Sequence, residues 1–337
     1  MERRTLGATG ISVSTFALGT MMFGSFGNPD HDDSIRIIRR ALDGGINLVD
    51  TANLYSGGES EEIVGKALAG RRDEVVLATK FAMPVGADAN DAGGSRRHIV
   101  RALEDSLRRL GTDHVDLYQM HRPDYDTDLD ETLAALSDLL AQGKVRAIGH
   151  STYPAERIVE AQWVAAERGH HRFRTEQPRY SVFNRTIERA VLPTTQKYGM
   201  GVLTYGPLNS GWLSGRADPT SGFRTGSAPH VFDQADPANR AKLEAVRALE
   251  KVAGEAGLSL AHLATAFPVA HPAVTSVIIG PRTMAHLEDT LAGADVRLTG
   301  DVLDRIDEIV APGTELNPID MYRADPPAML EKSLRRR

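Results

Sequence analysis

Asp50, Tyr55, Lys80 and His121 stand at or just beyond the ends of three β-branched, strand-like runs, residues 47–55, 75–80 and 115–121. Brought together, these four side chains compose a proton-transfer site. A free tyrosine has a pKa near ~10, which makes it a reluctant donor and a poor base at neutral pH. A lysine cation within hydrogen-bonding reach favours the tyrosinate, and a carboxylate beside the lysine keeps the ammonium charged and in place. Taken singly, each residue has a plainer reading: Asp50 before Thr51 as a helix cap, Lys80 as a solvated charge, Tyr55 as a packing residue. The chemistry depends on convergence, and convergence depends on the elements that carry them.

Those elements alternate. Strands are predicted at 16–19, ending at Asp50, ending at Lys80, ending at His121, and at 145–148, 174–177, 201–205 and 274–279. Helices are predicted over 32–43, from about 60, over 96–110 with Gly111 as its stop, over 129–141, after Pro154 in a first turn, over 187–198, and over 284–292. Helical crossovers make successive strands parallel, with all their carboxyl ends on one side. Eight such units predict an α/β fold, a (β/α)8 TIM barrel with an N-terminal β-hairpin around Gly7–Gly10 and two extra helices over 238–256 and 300–310. A single domain over 1–337 is expected, with an irregular tail over 311–337 carrying Pro312, Pro318, Pro326 and Pro327. The irregular segments 82–94 and 209–237 both follow strands on the catalytic side and should lie over the mouth.

Composition narrows the chemistry. Among 337 residues there is no cysteine, which excludes disulfides, thiolate catalysis and cysteine-ligated metal, and leaves any redox chemistry to a bound cofactor. A net charge of −6 gives no basic stripe for nucleic acid. No apolar run approaches the ~20 residues of a membrane span, and the start lacks a signal-peptide core, so a cytoplasmic protein is expected. His170-His171 has no carboxylates at ligand spacing, so no metal site is expected.

Several stretches in order resemble the aldo-keto reductase family over nearly the whole chain: Leu18-Gly19-Thr20-Met21, residues 49–56, Ala78-Thr79-Lys80, residues 115–121, residues 177–181, Tyr205-Gly206-Pro207-Leu208 and residues 277–282. The general look is that of the aryl-alcohol-dehydrogenase-like bacterial branch. The resemblance implies reduction of aldehydes or ketones by hydride transfer, with Tyr55 as general acid, Lys80 and Asp50 tuning it, and His121 orienting the substrate oxygen and stabilising its developing charge.

The chain has no G-x-G-x-x-G after a strand and no Walker loop, so a Rossmann site is not expected; the resemblance implies instead a nicotinamide dinucleotide lying extended across the barrel mouth. Gly19, Thr20, Met21 and Asp50 match its near wall, Ser151 and Gln177 its carboxamide clamp, and Tyr205 the ring that stacks on the nicotinamide. The family usually has asparagine beside that serine, where this chain has Thr152. The pyrophosphate run matches Gly206, Pro207, Leu208, Ser210, Gly211 and Leu213. The adenosine end matches Gly280, Pro281, Arg282, His286, Asp289 and Thr290, where Arg282 would pair with a 2′-phosphate and favour NADP(H) over NAD(H).

Phe23, Tyr55, Phe81, His121, Arg122, Tyr153 and Trp212 are expected around the substrate pocket, an aromatic lining suited to aryl or long-chain carbonyl compounds. Two other readings keep the scaffold: a nucleotide-sensing regulatory subunit, as the family's potassium-channel β-subunits suggest, or a reductase of a nucleotide-linked keto sugar. The expected partner is a small carbonyl substrate, not a nucleic acid or a membrane. The natural substrate and the oligomeric state are not legible.

Overall fold

The computed structural model describes residues 1–218, 220, 222–318 and 327–336. Eight parallel strands close into a barrel: β3 (Phe16–Gly19), β4 (Leu48–Asp50), β5 (Val76–Phe81), β6 (Val115–Met120), β7 (Val145–Ser151), β8 (Thr175–Gln177), β9 (Gly201–Tyr205) and β10 (Ser276–Ile279), which pairs back onto β3. The antiparallel hairpin β1 (Arg3–Thr5) and β2 (Ser12–Ser14) precedes them. Its Leu6 and Val13 join Ala17, Leu48, Ala78, Leu117, Ala147, Leu203 and Ile278 in one buried apolar layer, so the hairpin plugs the barrel at the amino ends of the strands.

Alternation along each strand sorts the side chains. Two residues beyond that apolar layer, the same inward face carries Gly19, Asp50, Lys80, Gln119 and Gly149, and the register pairs Gly19 with Asp50, Lys80 with Gln119, and Ser151 with Gln177. The barrel is therefore dry at the bottom and polar at the carboxyl ends. Gly19 is required there: a Cβ would meet the Ile278 side chain at 2.6 Å and the Ile279 carbonyl at 3.2 Å.

Outward-facing residues pack against the helices α1 (His31–Asp43), α2 (Glu59–Leu68), α3 (Arg96–Leu110), α4 (Leu129–Ala141), α5 (Ala155–Arg168) and α6 (Val191–Lys197), then, beyond the short α7 (Phe223–Ser227), α8 (Pro237–Glu255), α9 (Leu260–Ala270), α10 (Met284–Ala292) and α11 (Gly300–Ile309). Helix starts follow capping chemistry: Asp30, Ser95, Asp128, Ser259, Thr283 and Thr299 each accept from a backbone N–H of the first turn. α8 and α11, the two extra helices, contact one another outside the barrel cycle.

Two expectations need correction, and one helix had no expectation to match it. The helix expected over 187–198 is split into a 3-10 turn, Thr186–Arg189, and α6, because Ala190 leaves helical geometry. Pro154 caps α5 rather than lying in its first turn. α9, which carries the chain from the extra helix α8 back to β10, was not anticipated. It is apolar on nearly every side and contains Pro268, so it has neither an amphipathic period nor a clean interior. In the expected irregular tail over 311–337, the described residues include a short helix α12 (Pro327–Leu330) and a 3-10 turn (Lys332–Leu334), while Pro326 lies outside the described residues.

Candidate active site

Lys80 is fully buried, yet each of its three N–H bonds has an acceptor: an Asp50 carboxylate oxygen, the Thr51 carbonyl at 2.9 Å and the Tyr55 hydroxyl at 3.3 Å. Asp50 in turn accepts from Gln119 Nε2 at 3.0 Å and Gln177 Nε2 at 2.8 Å. A buried charge pair is tolerable only when its remaining valences are met, and here they are. Burial works against the ammonium, but the Asp50 charge and the bonds to Asp50 and Tyr55 hold Lys80 above its ordinary value.

Tyr55 is not on a strand. It opens a 3-10 turn, Tyr55–Gly58, in which Ser56, Gly57 and Gly58 all have positive φ. Two bonds brace this turn: Ser56 Oγ donates to the Phe23 carbonyl at 3.3 Å and accepts from Phe26 N at 3.2 Å. Burial pushes the phenol above its ordinary value, although the residue keeps some surface at the mouth; the Lys80 cation opposes this without overcoming it. Lys80 acts on the phenol in the expected direction, but burial outweighs it, and Tyr55 rests as the protonated acid.

His121 meets the Tyr55 ring edge-on, centroids 5.8 Å apart at 82°. Burial, with Lys80 and Arg122 nearby, holds its pKa well below the usual histidine range, so the imidazole is neutral. Its Nδ1 is buried with no partner. The four residues picked from the sequence thus lie in one throat, joined by Gln119, which sequence reasoning passed over. Its inward parity with Lys80 on the neighbouring strand was the available signal.

Residues expected to hold a dinucleotide are arrayed around that throat. Ser151 Oγ donates to the Gln177 carbonyl at 2.7 Å, and the Gln177 amide is spent on Asp50 and Gln119, leaving its Oε1 as the open acceptor. Thr152 has φ +57°, and its hydroxyl donates to the Ser151 carbonyl at 2.7 Å. The Tyr205 ring is half-exposed, Gly206, Ser210 and Gly211 have positive φ, Pro207 and Leu213 are buried, and Leu208 is half-buried. Thr20 is buried beneath Asp50, and Met21 is half-exposed beside it.

At the far end, Gly280 has open space where a Cβ would stand, Pro281 is buried, and the Arg282 guanidinium lies 5.0 Å from the Phe223 ring. His286 keeps exposed surface, but its ring is partly enclosed, and that enclosure with the nearby charges of Arg282 and Arg216 pushes it below its ordinary value. Asp289 faces His262, and the Thr290 hydroxyl is spent on the His286 carbonyl. Arg216, not singled out from the sequence, donates to the Gly211 carbonyl at 3.2 Å while its Nε is buried without a partner. Three basic groups converging beside an open, glycine-lined run fit a phosphorylated ligand, and the orphaned Nε is a donor awaiting an anion.

Four of the expected wall residues are packed away from the throat. Phe81, one residue after the inward Lys80, faces outward, with its ring 4.6 Å from Tyr118. Phe23 is fully buried in the same outer core, Tyr153 stacks on His150, and Trp212 stacks on Phe232 and donates to the Val231 carbonyl. Of the wall candidates, Tyr55, His121 and Arg122 face the throat. Among the described residues no helix is long and apolar enough to cross a membrane, and no group of three or more His, Asp or Glu side chains is placed to hold a metal.

The family description "Aldo/keto reductase family" matches residues 15–311. Over 329 residues the chain is 39% identical to an uncharacterized oxidoreductase, YrpG, of Bacillus subtilis, covering 94% of this chain and 98% of that protein. It is 37% identical to the aldo-keto reductase YhdN of the same organism over 86% of this chain and 87% of that one. A probable voltage-gated potassium channel subunit beta of Arabidopsis thaliana is 35% identical over 92% and 97%. With the closed eight-stranded barrel and the throat just described, these matches settle the relationship: the chain belongs to the aldo/keto reductase family of oxidoreductases.

Proposed function

We propose that the protein reduces aldehydes or ketones to alcohols with NADP(H), using Tyr55 as the general acid. The observation that carries this reading is the Lys80 ammonium, fully buried and saturated by Asp50, the Thr51 carbonyl and the Tyr55 hydroxyl. Held by the mouth residues, a reduced nicotinamide would supply the hydride for the carbonyl carbon and would itself be oxidised in doing so. Tyr55 gives its proton to the carbonyl oxygen, so that one hydride and one proton complete the alcohol. Lys80 stabilises the tyrosinate left behind, and Asp50 keeps Lys80 charged. Neutral His121 orients the carbonyl by donating to its oxygen.

The residues lining the mouth support a nicotinamide dinucleotide: Gln177 and Ser151 at the carboxamide, Tyr205 against the ring, Arg216 and Arg282 at the phosphates. Because Arg282 has no carboxylate partner among the described residues, a 2′-phosphate has a free guanidinium to meet. Arg282→Ala should raise the Kd for NADPH about 10–100-fold and that for NADH far less, as read by fluorescence titration. Equal losses for both would remove the 2′-phosphate role.

The neutral His121 gives a further expectation. The profile of kcat/KM against pH should show no acid limb in the ordinary histidine range, because that ring is already deprotonated there. A limb near ~6.5 that vanishes in His121→Asn would contradict it.

The direct test is titration with NADPH and NADH, followed by 4-nitrobenzaldehyde while the reduced-nicotinamide absorbance is monitored. Binding with aldehyde-dependent oxidation supports the reductase. Tight binding without oxidation across a carbonyl panel favours a second reading, a nucleotide-sensing subunit, which the 35% identity to a protein named as a channel β subunit keeps in play. No binding at all would remove both.

A further inference from the structure

Phe23, Phe81, Tyr153 and Trp212 are packed into the core, so the aromatic side chains exposed near the throat are the edge-to-face pair Phe26 and Phe223, with Phe26 N bonded to Ser56 beside Tyr55. The throat's charges are nearly cancelled: Lys80 is matched in contact by Asp50, and His121 is neutral. The exception is Arg122. Its side chain is half-exposed, and Nη1 donates to the carbonyl of His121, the preceding residue, at 2.8 Å, which ties the guanidinium to the backbone that carries the imidazole.

No carboxylate among the described residues pairs with Arg122. Asp124, two residues on, is turned away: its carboxylate accepts from the Gly94 N–H and the Thr127 hydroxyl, both at 2.7 Å. A guanidinium has five N–H donors, so one bond to a carbonyl leaves most of its fork open. Its charge also reaches the reacting groups, drawing down the pKa values of both Tyr55 and His121.

We propose that Arg122 is a specificity-determining residue and that the substrate is a carbonyl compound bearing a carboxylate near the reacting carbon, such as a short oxo-acid or a carboxylated aromatic aldehyde. A tethered, unpaired guanidinium beside a carbonyl-binding imidazole recognises a second, anionic group on the same molecule, and planar carboxylates match its geometry. This rests on the reductase reading above. It adds a charge-selecting group to the expectation of a carbonyl substrate.

Two matched pairs test it: 2-carboxybenzaldehyde against benzaldehyde, and 4-oxobutanoate against butanal, each with NADPH. The wild-type protein should favour the carboxylated member of each pair by about tenfold or more in kcat/KM, a preference that shrinks as salt is raised. In Arg122→Gln the ratio should collapse towards one, and in Arg122→Lys it should be partly kept, with NADPH titration confirming a folded site in each variant. A wild-type protein that reduces both members without discrimination, or a preference that survives Arg122→Gln, overturns the assignment while leaving the reductase standing. Failure to oxidise NADPH with any of the four overturns both.

Discussion

Tyr55→Phe will lower kcat by about 10²–10⁴-fold while changing the Kd for NADPH little, because it removes only the proton that the reduction consumes. The ring keeps its edge contact with His121, so the shape of the throat is retained. Lys80 loses one of three acceptors, at 3.3 Å the longest of them, and keeps Asp50 and the Thr51 carbonyl. Single-turnover oxidation of bound NADPH separates the chemical step from product release. Near-normal turnover in this variant would move the acid elsewhere and sink the assignment. Because burial holds the Tyr55 phenol above its ordinary value, the wild-type acid should stay protonated past neutrality, and activity in the reducing direction should decline only on the alkaline side.

Lys80→Met will cost stability as well as activity. It leaves the Asp50 carboxylate in the barrel with two amide donors, Gln119 and Gln177, but no counter-charge. Breaking a buried pair from one side typically costs about 3–5 kcal/mol. Lys80→Met/Asp50→Leu removes both charges and should regain most of that loss while remaining inactive; urea unfolding of the three proteins, read with their turnover, measures both effects.

The sign of the pH dependence follows from Lys80. Its folded pKa is raised, so its contribution to stability is fully present below the ordinary lysine value and is lost as pH rises through the folded one. The double variant should therefore be less sensitive to alkali than the wild-type protein. Equal stability of Lys80→Met and wild type would show that the pair is not a net support of the fold.

The barrel was legible because strands ending in Asp50, Lys80 and His121 and a helix stopping at Gly111 carry local signals in their own residues. Parity was legible too, and would have excluded Phe81 from the mouth: a residue adjacent to inward Lys80 must face outward. What sequence did not disclose was set by packing between distant segments. Whether Trp212 lines a pocket depends on Phe232 lying against it, and whether a tyrosine beside a lysine is lowered or raised depends on how much protein surrounds both. Arg216 escaped notice because its meaning comes from Arg282 and His286, which lie far away in sequence. Helix α9 escaped because an all-round apolar helix with a proline has no period to detect.

Asp50, Lys80 and Gln119 are carried on the barrel strands themselves, whose opening requires breaking a closed ring of paired backbone. Tyr55 is carried by three consecutive left-handed residues braced through Ser56. Local openings of a native protein draw on its least protected segments, well below the free energy of global unfolding. The two halves of the site should therefore keep different clocks: the charge relay that of the barrel, the acid that of a turn, so amide exchange at Ser56–Gly58 is expected to run ahead of that at Leu77–Lys80.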